Sequence, residues 1–118
     1  KETVEIACAD AGNGIITTLK KNKKYKNLDD FTIFSSCVER DVTSKEKTNH
    51  MGFGLWLINQ LITEIKGKLL IYSEGYKLSN EKGLICIEKT NYWKGTIIYL
   101  SLPLKTAKVS PRRLLLII

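Results

Sequence analysis

The chain has 118 residues, of which 43% are hydrophobic, a combination that predicts one globular domain with its own core and argues against a disordered chain. Its formal net charge of +7, from 19 basic and 12 acidic residues, favours anionic partners such as nucleotides, nucleic acid or acidic membranes. No stretch approaches the roughly 18 consecutive apolar residues of a membrane-spanning helix. No signal peptide is visible, so we expect a cytoplasmic protein without a membrane span.

The cysteines and the histidine narrow the site chemistry further. Cys8, Cys37 and Cys86 are an odd number at wide spacing, without a Cys-x-x-Cys pair. This pattern favours a reducing compartment over a disulfide framework or a zinc site. Cys8 and Cys86 lie in apolar runs and are expected in the core, whereas Cys37 is expected to be partly exposed. Because His50 is the only histidine, a histidine-based metal cluster is excluded.

The first third of the chain predicts a strand, a tight loop and a short helix. Residues 4–9 form a compact apolar run, typical of a buried strand. Residues 10–14 follow as a tight loop, and residues 15–19 begin a short helix. The lysine-rich stretch up to residue 27 reads as a solvated loop.

The middle of the chain contains two predicted helices separated by a polar segment. Asp29 is placed as the N-cap of a helix that extends to about Val38. Residues 39–50 lack periodicity and predict a mobile loop. Residues 55–66 carry an apolar stripe at helical spacing, and Gly67 is placed to end this helix in the left-handed conformation.

The last third predicts three strands, at residues 68–73, 84–88 and 96–102. The segment 80–83 is expected to turn the first of these strands into the second. A strand, then helices, then strands in a row indicates an α+β sandwich with helices on one face of a sheet. Residues 105–118 are first basic and then apolar, and we treat them as a separate tail.

The functional hypothesis depends on two glycine motifs, at residues 10–15 and at residues 52–55. In the first, Asp10 ends a strand, and its carboxylate, which only accepts hydrogen bonds when ionised, suits the amino group of adenine. Gly12 and Gly14 would let the backbone approach a flat ring, and Ile15 would pack on it. An ordinary turn is the alternative for this segment alone, since Asp and Gly are common turn residues.

The second motif, at residues 52–55, precedes the most strongly predicted helix. Free amides at a helix N-terminus attract anions, so phosphates fit there. The alternative is a glycine-rich linker that enters a core helix. Neither a P-loop nor a G-x-G-x-x-G motif is present, and no serine, histidine and acid grouping stands out as a hydrolase triad.

With these motifs in order, the chain resembles the GHKL ATPases, the group of gyrase, heat-shock chaperones, histidine kinases and mismatch-repair ATPases. Residues 10–15, DAGNGI, resemble their D-x-G-x-G-I box, and residues 52–55, GFGL, resemble their G-x-G-L box. Residues 94–103, KGTIIYLSLP, resemble the closing G-T strand of the histidine-kinase branch. The implied fold is a two-layer α+β sandwich with a mixed, mostly antiparallel sheet, truncated at its N-terminus.

The resemblance implies roles for particular residues. Asp10 would bind the adenine amino group, and Thr96 would support that contact. Residues 39–51 would form the ATP lid. The residues implied to contact ATP are Asp10, Gly12, Gly14, Ile15, Met51, Gly52, Phe53, Gly54, Leu55 and Thr96.

The chain departs from the family pattern in two places. The upstream helix that supplies the family's magnesium-binding Asn and, in several branches, a catalytic Glu has no counterpart before Asp10. Mg²⁺ is therefore expected only together with that helix, and no catalytic residue or metal ligand is assigned. The chain starts at Lys1 without a methionine, which indicates a piece of a longer protein. The other departure is His50, where many kinases have glycine.

These observations lead to one main hypothesis and two alternatives. Residues 1–104 are interpreted as part of a histidine-kinase-like ATP-binding module that acts in phosphotransfer, in an ATP-driven conformational switch or in nucleotide sensing. A protein partner or upstream domain is expected, as is self-association that covers the exposed sheet. The first alternative is a non-enzymatic basic module for nucleic acid or an acidic protein, supported by Lys20–Lys26. The second is a degenerate ATPase-like scaffold.

Overall fold

The computed structural model describes residues 2–39 and 54–104, and within them five strands form one sheet in the order β1-β5-β2-β3-β4. All four strand pairings are antiparallel, so the predicted α+β class is confirmed, whereas a mixed sheet is not found among the described strands. The strands are β1 Thr3–Asp10, β2 Lys68–Ser73, β3 Tyr76–Glu81, β4 Leu84–Lys89 and β5 Thr96–Pro103. The helices are α1 Ile15–Leu19, α2 Asp30–Ser35, continued by a 3-10 turn over Ser36–Val38, and α3 Gly54–Glu64.

The start of α2 is set by the predicted N-cap. The Asp29 carboxylate accepts the Thr32 backbone N–H at 3.1 Å and the Thr32 hydroxyl at 2.6 Å. These bonds favour the ionised carboxylate and lower the pKa of Asp29, the side-chain hydrogen bond from Thr32 having the largest effect. The cap satisfies one of the N–H groups that the first turn of a helix leaves unpaired.

The end of α3 differs from the prediction for Gly67. The left-handed residue is Lys66, with φ of 58°. The Lys66 N–H bonds to the Thr63 carbonyl and the Gly67 N–H to the Ile62 carbonyl, the Schellman arrangement with Lys66 at the left-handed position. Gly67 serves close packing instead, because a Cβ there would lie 2.6 Å from the Ser101 carbonyl oxygen on β5.

Two tight hairpins join β2, β3 and β4, and the sequence patterns did not predict β3. Glu74 and Gly75 turn β2 into β3, with φ of 50° and 88°. Lys82 and Gly83 turn β3 into β4, with φ of 55° and 90°. Positive φ at both central residues matches the type I′ turn, whose twist suits a two-residue hairpin. The turn predicted at residues 80–83 therefore connects β3 to β4 and not β2 to β4.

The core lies between the helices and the β2–β3 part of the sheet. Phe34 of α2 stacks on Tyr76 of β3 with ring centroids 5.5 Å apart. The described contacts of α1, α2 and α3 fall on the same face of the sheet, which we call the helix side. The described hydrophobic residues with essentially no exposure are Ile33, Phe34, Ile62, Leu69, Ile71 and Leu78.

A buried amide fixes α3 on β3. The Asn80 side chain is fully buried, and its Nδ2 donates to Asn59 Oδ1 at 2.7 Å and to Thr63 Oγ1 at 2.9 Å. Its Oδ1 accepts the Gly83 N–H of the β3–β4 turn at 2.9 Å. Because this amide is satisfied on both sides, it is tolerated in the core and specifies how α3 sits on the hairpin.

The opposite part of the sheet is not covered by a described helix. All eight residues of β1 are exposed, so the predicted burial of this strand is wrong. The register places Val4, Ile6 and Cys8 opposite Leu102, Leu100 and Ile98 of β5. Since paired residues of an antiparallel sheet share a face, these side chains continue the apolar helix side beyond the helices.

The exposure of the three cysteines is the opposite of what the sequence predicted. Cys8 and Cys86 are exposed, whereas Cys37, expected to be partly exposed, is buried in the hydrophobic core cluster. Burial raises the pKa of the Cys37 thiol to about 12, because a thiolate would be deprived of solvent there. The sequence runs around Cys8 and Cys86 are strands, but each lies at an edge of the sheet.

No helix among the described residues is long and apolar enough to cross a membrane.

Candidate functional site

Three side chains from neighbouring strands line up at one end of the sheet. Asp10 of β1 lies opposite Thr96 of β5, and Thr96 lies opposite Ser73 of β2. All three therefore face the helix side. Asp10 and Thr96, which belong to two distant motifs, are brought together by the register alone.

Hydrogen bonds around Ser73 decide which atoms of Thr96 remain available. The Ser73 Oγ accepts the Ile15 N–H at 2.9 Å and donates to the Gly95 carbonyl at 2.7 Å. The Ser73 and Thr96 hydroxyl oxygens are 3.3 Å apart, and with the Ser73 proton already used, Thr96 is the donor in that contact. The lone pairs of Thr96 Oγ1 are then directed away from Ser73 and can accept a hydrogen bond.

The Asp10 carboxylate presents a second acceptor. Its Oδ1 accepts the Gly12 N–H at 2.8 Å, which folds the loop back on the end of β1. Within the described part of the chain, Oδ2 has no hydrogen-bond partner, and the residue is exposed. The site thus offers two acceptors, Asp10 Oδ2 and Thr96 Oγ1, from side chains at directly opposite strand positions.

The backbone of Asp10 is held by Trp93. The indole Nε1 of Trp93 donates to the Asp10 carbonyl at 3.1 Å, and the Glu74 N–H donates to the Trp93 carbonyl at 2.7 Å. Trp93 therefore links the β2–β3 turn to the end of β1. An aromatic ring that is 40% exposed lies directly beside the carboxylate-bearing residue.

The loop after Asp10 is anchored to the β2–β3 turn by an acidic side chain. Glu74 accepts the Thr17 N–H at 2.8 Å and the Thr17 hydroxyl at 2.5 Å. Together with the bond from Ile15 to Ser73, these contacts fix the first turn of α1 against the end of β2. The position of Asp10 is consequently set by the fold around it.

The glycines near Asp10 have different reasons to be glycine. Gly14 has φ of 87°, and a Cβ there would lie 2.5 Å from the Lys94 carbonyl oxygen. At Gly95, a Cβ would overlap the Asp10 carbonyl oxygen. Both are explained by packing within the protein. At Gly12 a Cβ would meet, of the residues that the structure describes, only the Asp10 side chain, with Oδ1 at 3.2 Å, so this glycine keeps the approach to the carboxylate free of a side chain of its own.

The first and second motifs border the same core. Ile15 and Leu55 both pack, partly buried, against the hydrophobic core cluster. Gly54 begins α3, and a Cβ added there would have no neighbour within 4 Å among the described residues. Met51, Gly52 and Phe53 lie outside the described residues, as does the expected lid apart from Glu39.

The residues missed by sequence reasoning are Ser73, Glu74 and Trp93. Ser73 ends a strand and Glu74 lies in a hairpin turn, positions that carry no signal without the sheet order. Trp93 stands two residues before Gly95 and three before Thr96, so its place beside the closing motif is the available signal.

The lysine-rich stretch is an ordered series of turns. Tyr25 and Asn22 are buried and attach it to the core, whereas the lysines between and beside them are exposed. Lys20 forms an ion pair with Asp30 at 2.9 Å, and the hydrogen bond to Asp30 raises the pKa of Lys20. Besides Lys20, the exposed lysines of this stretch are Lys21, Lys23, Lys24 and Lys26.

Metal binding finds no support in the described residues. Within residues 2–39 and 54–104, no group of three or more His, Cys, Asp or Glu residues is arranged to hold a metal ion.

Comparisons of this chain with protein-family models, with curated proteins and with solved structures found no match.

Proposed function

We propose that the chain is the ATP-binding module of a histidine-kinase-like ATPase, in which the adenine is recognised at the end of β1. The observation that carries the proposal is the pair of acceptors on adjacent strands, Asp10 Oδ2 and Thr96 Oγ1. The amino group of adenine has two hydrogens to donate, and a site with two acceptors at directly opposite strand positions suits that group.

The loop geometry supports the same assignment. Gly12 leaves the space above Asp10 free of a side chain, and Trp93 places an aromatic surface beside it. An ionised carboxylate makes a charge-assisted hydrogen bond, which is stronger than a neutral one. The net charge of +7 favours the triphosphate, which we place near the N-terminal end of α3 by analogy with the second motif.

ATP binding would serve phosphotransfer to a protein or a conformational switch driven by nucleotide. Both activities share a step in which the nucleotide stabilises one conformation over another, so they make the same demand on the adenine site. Asp10 and Thr96 are assigned to binding and not to the chemical step.

The test is a calorimetric titration of ATP with magnesium into the full chain. Asp10→Asn should weaken binding by about tenfold to a hundredfold, since it removes a charged acceptor and leaves a donor facing the amino group. Asp29→Asn is the matched control: it removes the same charge at a helix cap where Asn also caps well, and it should leave affinity unchanged. Equal affinity in all three proteins, or no ATP binding by the unmutated chain, would overturn the proposal.

A basic module for nucleic acid is the second candidate, and the observation in its favour is the exposure of four lysines on the anchored turns at residues 21–26. Binding through phosphates falls steeply as salt rises. A charge-neutralising Lys23→Gln and Lys24→Gln double variant should then bind DNA more weakly and with a smaller salt dependence. ATP would not compete unless both ligands share one site.

A further inference from the structure

Within residues 2–39 and 54–104, no strand pairs with the outer edge of β1. Among the described strands β1 pairs only with β5, and all eight residues are in continuous register without a bulge. It contains no proline, lysine or arginine, the residues that commonly keep sheet edges from pairing. β4, at the other edge, ends in Lys89 and carries Glu88, which pairs with Lys77 at 3.8 Å.

The helix side of β1 is apolar and open. Val4 is 40% exposed and Ile6 is 47% exposed, and Cys8 beside them is also exposed. Their neighbours on β5, Leu100 and Ile98, are partly buried against the core. The apolar surface therefore runs outward from the core to the edge, where a further strand would extend it and cover these side chains.

The charges along β1 are all acidic, although the whole chain is basic. Glu5 and Asp10 are its charged residues, and Glu2 precedes it. Glu5 projects from the face opposite Ile6, where it accepts the Tyr99 hydroxyl at 2.7 Å and has no ion-pair partner among the described residues. A second copy of β1 would bring the same acids to one seam, which disfavours self-pairing.

We propose that the β1 edge binds an extended segment of a partner protein by strand addition, with basic residues of that segment opposite Glu5 and apolar residues opposite Val4 and Ile6. The main-chain hydrogen bonds of the new strand give affinity, while the alternating side chains give specificity. This proposal does not depend on nucleotide binding, because it uses the outer edge and length of β1 and not its Asp10 end.

The test uses two fluorescein-labelled synthetic peptides of eight residues, one alternating valine with lysine and the other valine with glutamate. Anisotropy with the full chain should show the lysine peptide binding at least about tenfold more tightly than the glutamate peptide, because opposite charges across strands attract and like charges repel. Glu5→Lys should reverse the order. Glu88→Lys, the same change on the opposite edge strand, should not.

The backbone contribution is tested with the lysine peptide methylated at alternate amide nitrogens. Strand addition predicts that methylating the amide nitrogens that would pair with β1 abolishes binding. If the peptide still binds after that methylation, simple charge attraction accounts for the binding and the proposal is overturned. Two other results would also overturn it. Concentration-dependent dimers that Glu5→Lys dissociates would assign the edge to a second copy. A rise in peptide affinity with Leu115→Asp would assign it to residues 105–118 of the chain itself.

Discussion

The sheet has a covered half, β2 and β3, and an uncovered half at β1. Both halves present apolar residues on the helix side, but described helices pack only on the covered half. Ile71 on β2 is fully buried under the helices, whereas Ile6 on β1 is 47% exposed. Both are isoleucines on the helix side of a strand, and β5 lies between the two strands. The comparison separates the part of the molecule that supplies stability from the part that presents the candidate nucleotide site and the open edge.

The largest effect on stability should come from truncating Ile71, with Ile6 as its matched partner. Ile71→Ala should lower the free energy of unfolding by about 2–5 kcal/mol, because it removes buried methylene groups and leaves a cavity. Ile6→Ala should cost less than about 1 kcal/mol, because half of that side chain is already in water. Denaturant unfolding of both variants measures the difference, and equal losses would contradict the division into two halves. If Ile71→Ala does not fold, Ile71→Val should still cost about 0.5–1.5 kcal/mol.

A substitution at Gly95 should disturb the close contact between the residue before β5 and the end of β1. Gly95→Ala places a Cβ on the Asp10 carbonyl oxygen, and the required backbone shift should cost about 1–3 kcal/mol and displace the carboxylate. Gly12→Ala meets only a carboxylate oxygen at 3.2 Å and should be much milder. Thermal unfolding of the two variants tests this order. A Gly95→Ala protein as stable as the unmutated one would contradict the close approach of the residue before β5 to the end of β1.

A smaller effect is expected at Trp93, which connects the site to the covered half. Trp93→Phe keeps a ring but removes the donor to the Asp10 carbonyl, and should cost about 0.5–1.5 kcal/mol. Tyr92→Phe is the control at the neighbouring position, which is 69% exposed. Denaturant unfolding should show a loss in the first variant alone, and equal stability of both would remove Trp93 from its positioning role.

The reactivity of the three cysteines reports whether each thiol is buried. In the folded protein near pH 8, Cys8 and Cys86 should react readily with a thiol reagent, while Cys37 should stay unmodified. Only the thiolate reacts, and burial both raises the pKa of Cys37 to about 12 and blocks access. Mass spectrometry should therefore find two modifications under native conditions and three after unfolding. Rapid modification of Cys37 in the native state would contradict its burial.

Much of the fold could be predicted because local patterns agree with the structure. The Asp29 cap, the stripe of α3 and the alternation of β5 each act over a few residues. β3 was missed because its sequence, YKLSNE, is polar, and its stability depends on Asn80 finding partners on α3. The predicted burial of β1 was wrong for a related reason: an apolar strand is buried only if another element covers it, and sheet order decides that.

The residues of the candidate site also fall into two groups, those that the sequence motifs predict and those that they do not. Asp10 and Thr96 can be found from motifs, and the register then places them opposite each other. Ser73 and Glu74 were missed, since their roles arise from a hairpin that brings them to a loop nearly sixty residues earlier in the sequence. Gly14 was assigned to a pocket, yet its left-handed φ and the nearby Lys94 carbonyl already explain the glycine.

The most direct test of the adenine assignment is the base preference of the Asp10→Asn variant. The Gly12 N–H should keep the Asn oxygen at the position of Oδ1, which turns the amide NH2 to the position of Oδ2. Inosine differs from adenosine in having a carbonyl in place of the amino group, so the variant should prefer inosine triphosphate to ATP, while the unmutated chain prefers ATP. The same preference in both proteins would contradict the assignment of Asp10 to the adenine amino group.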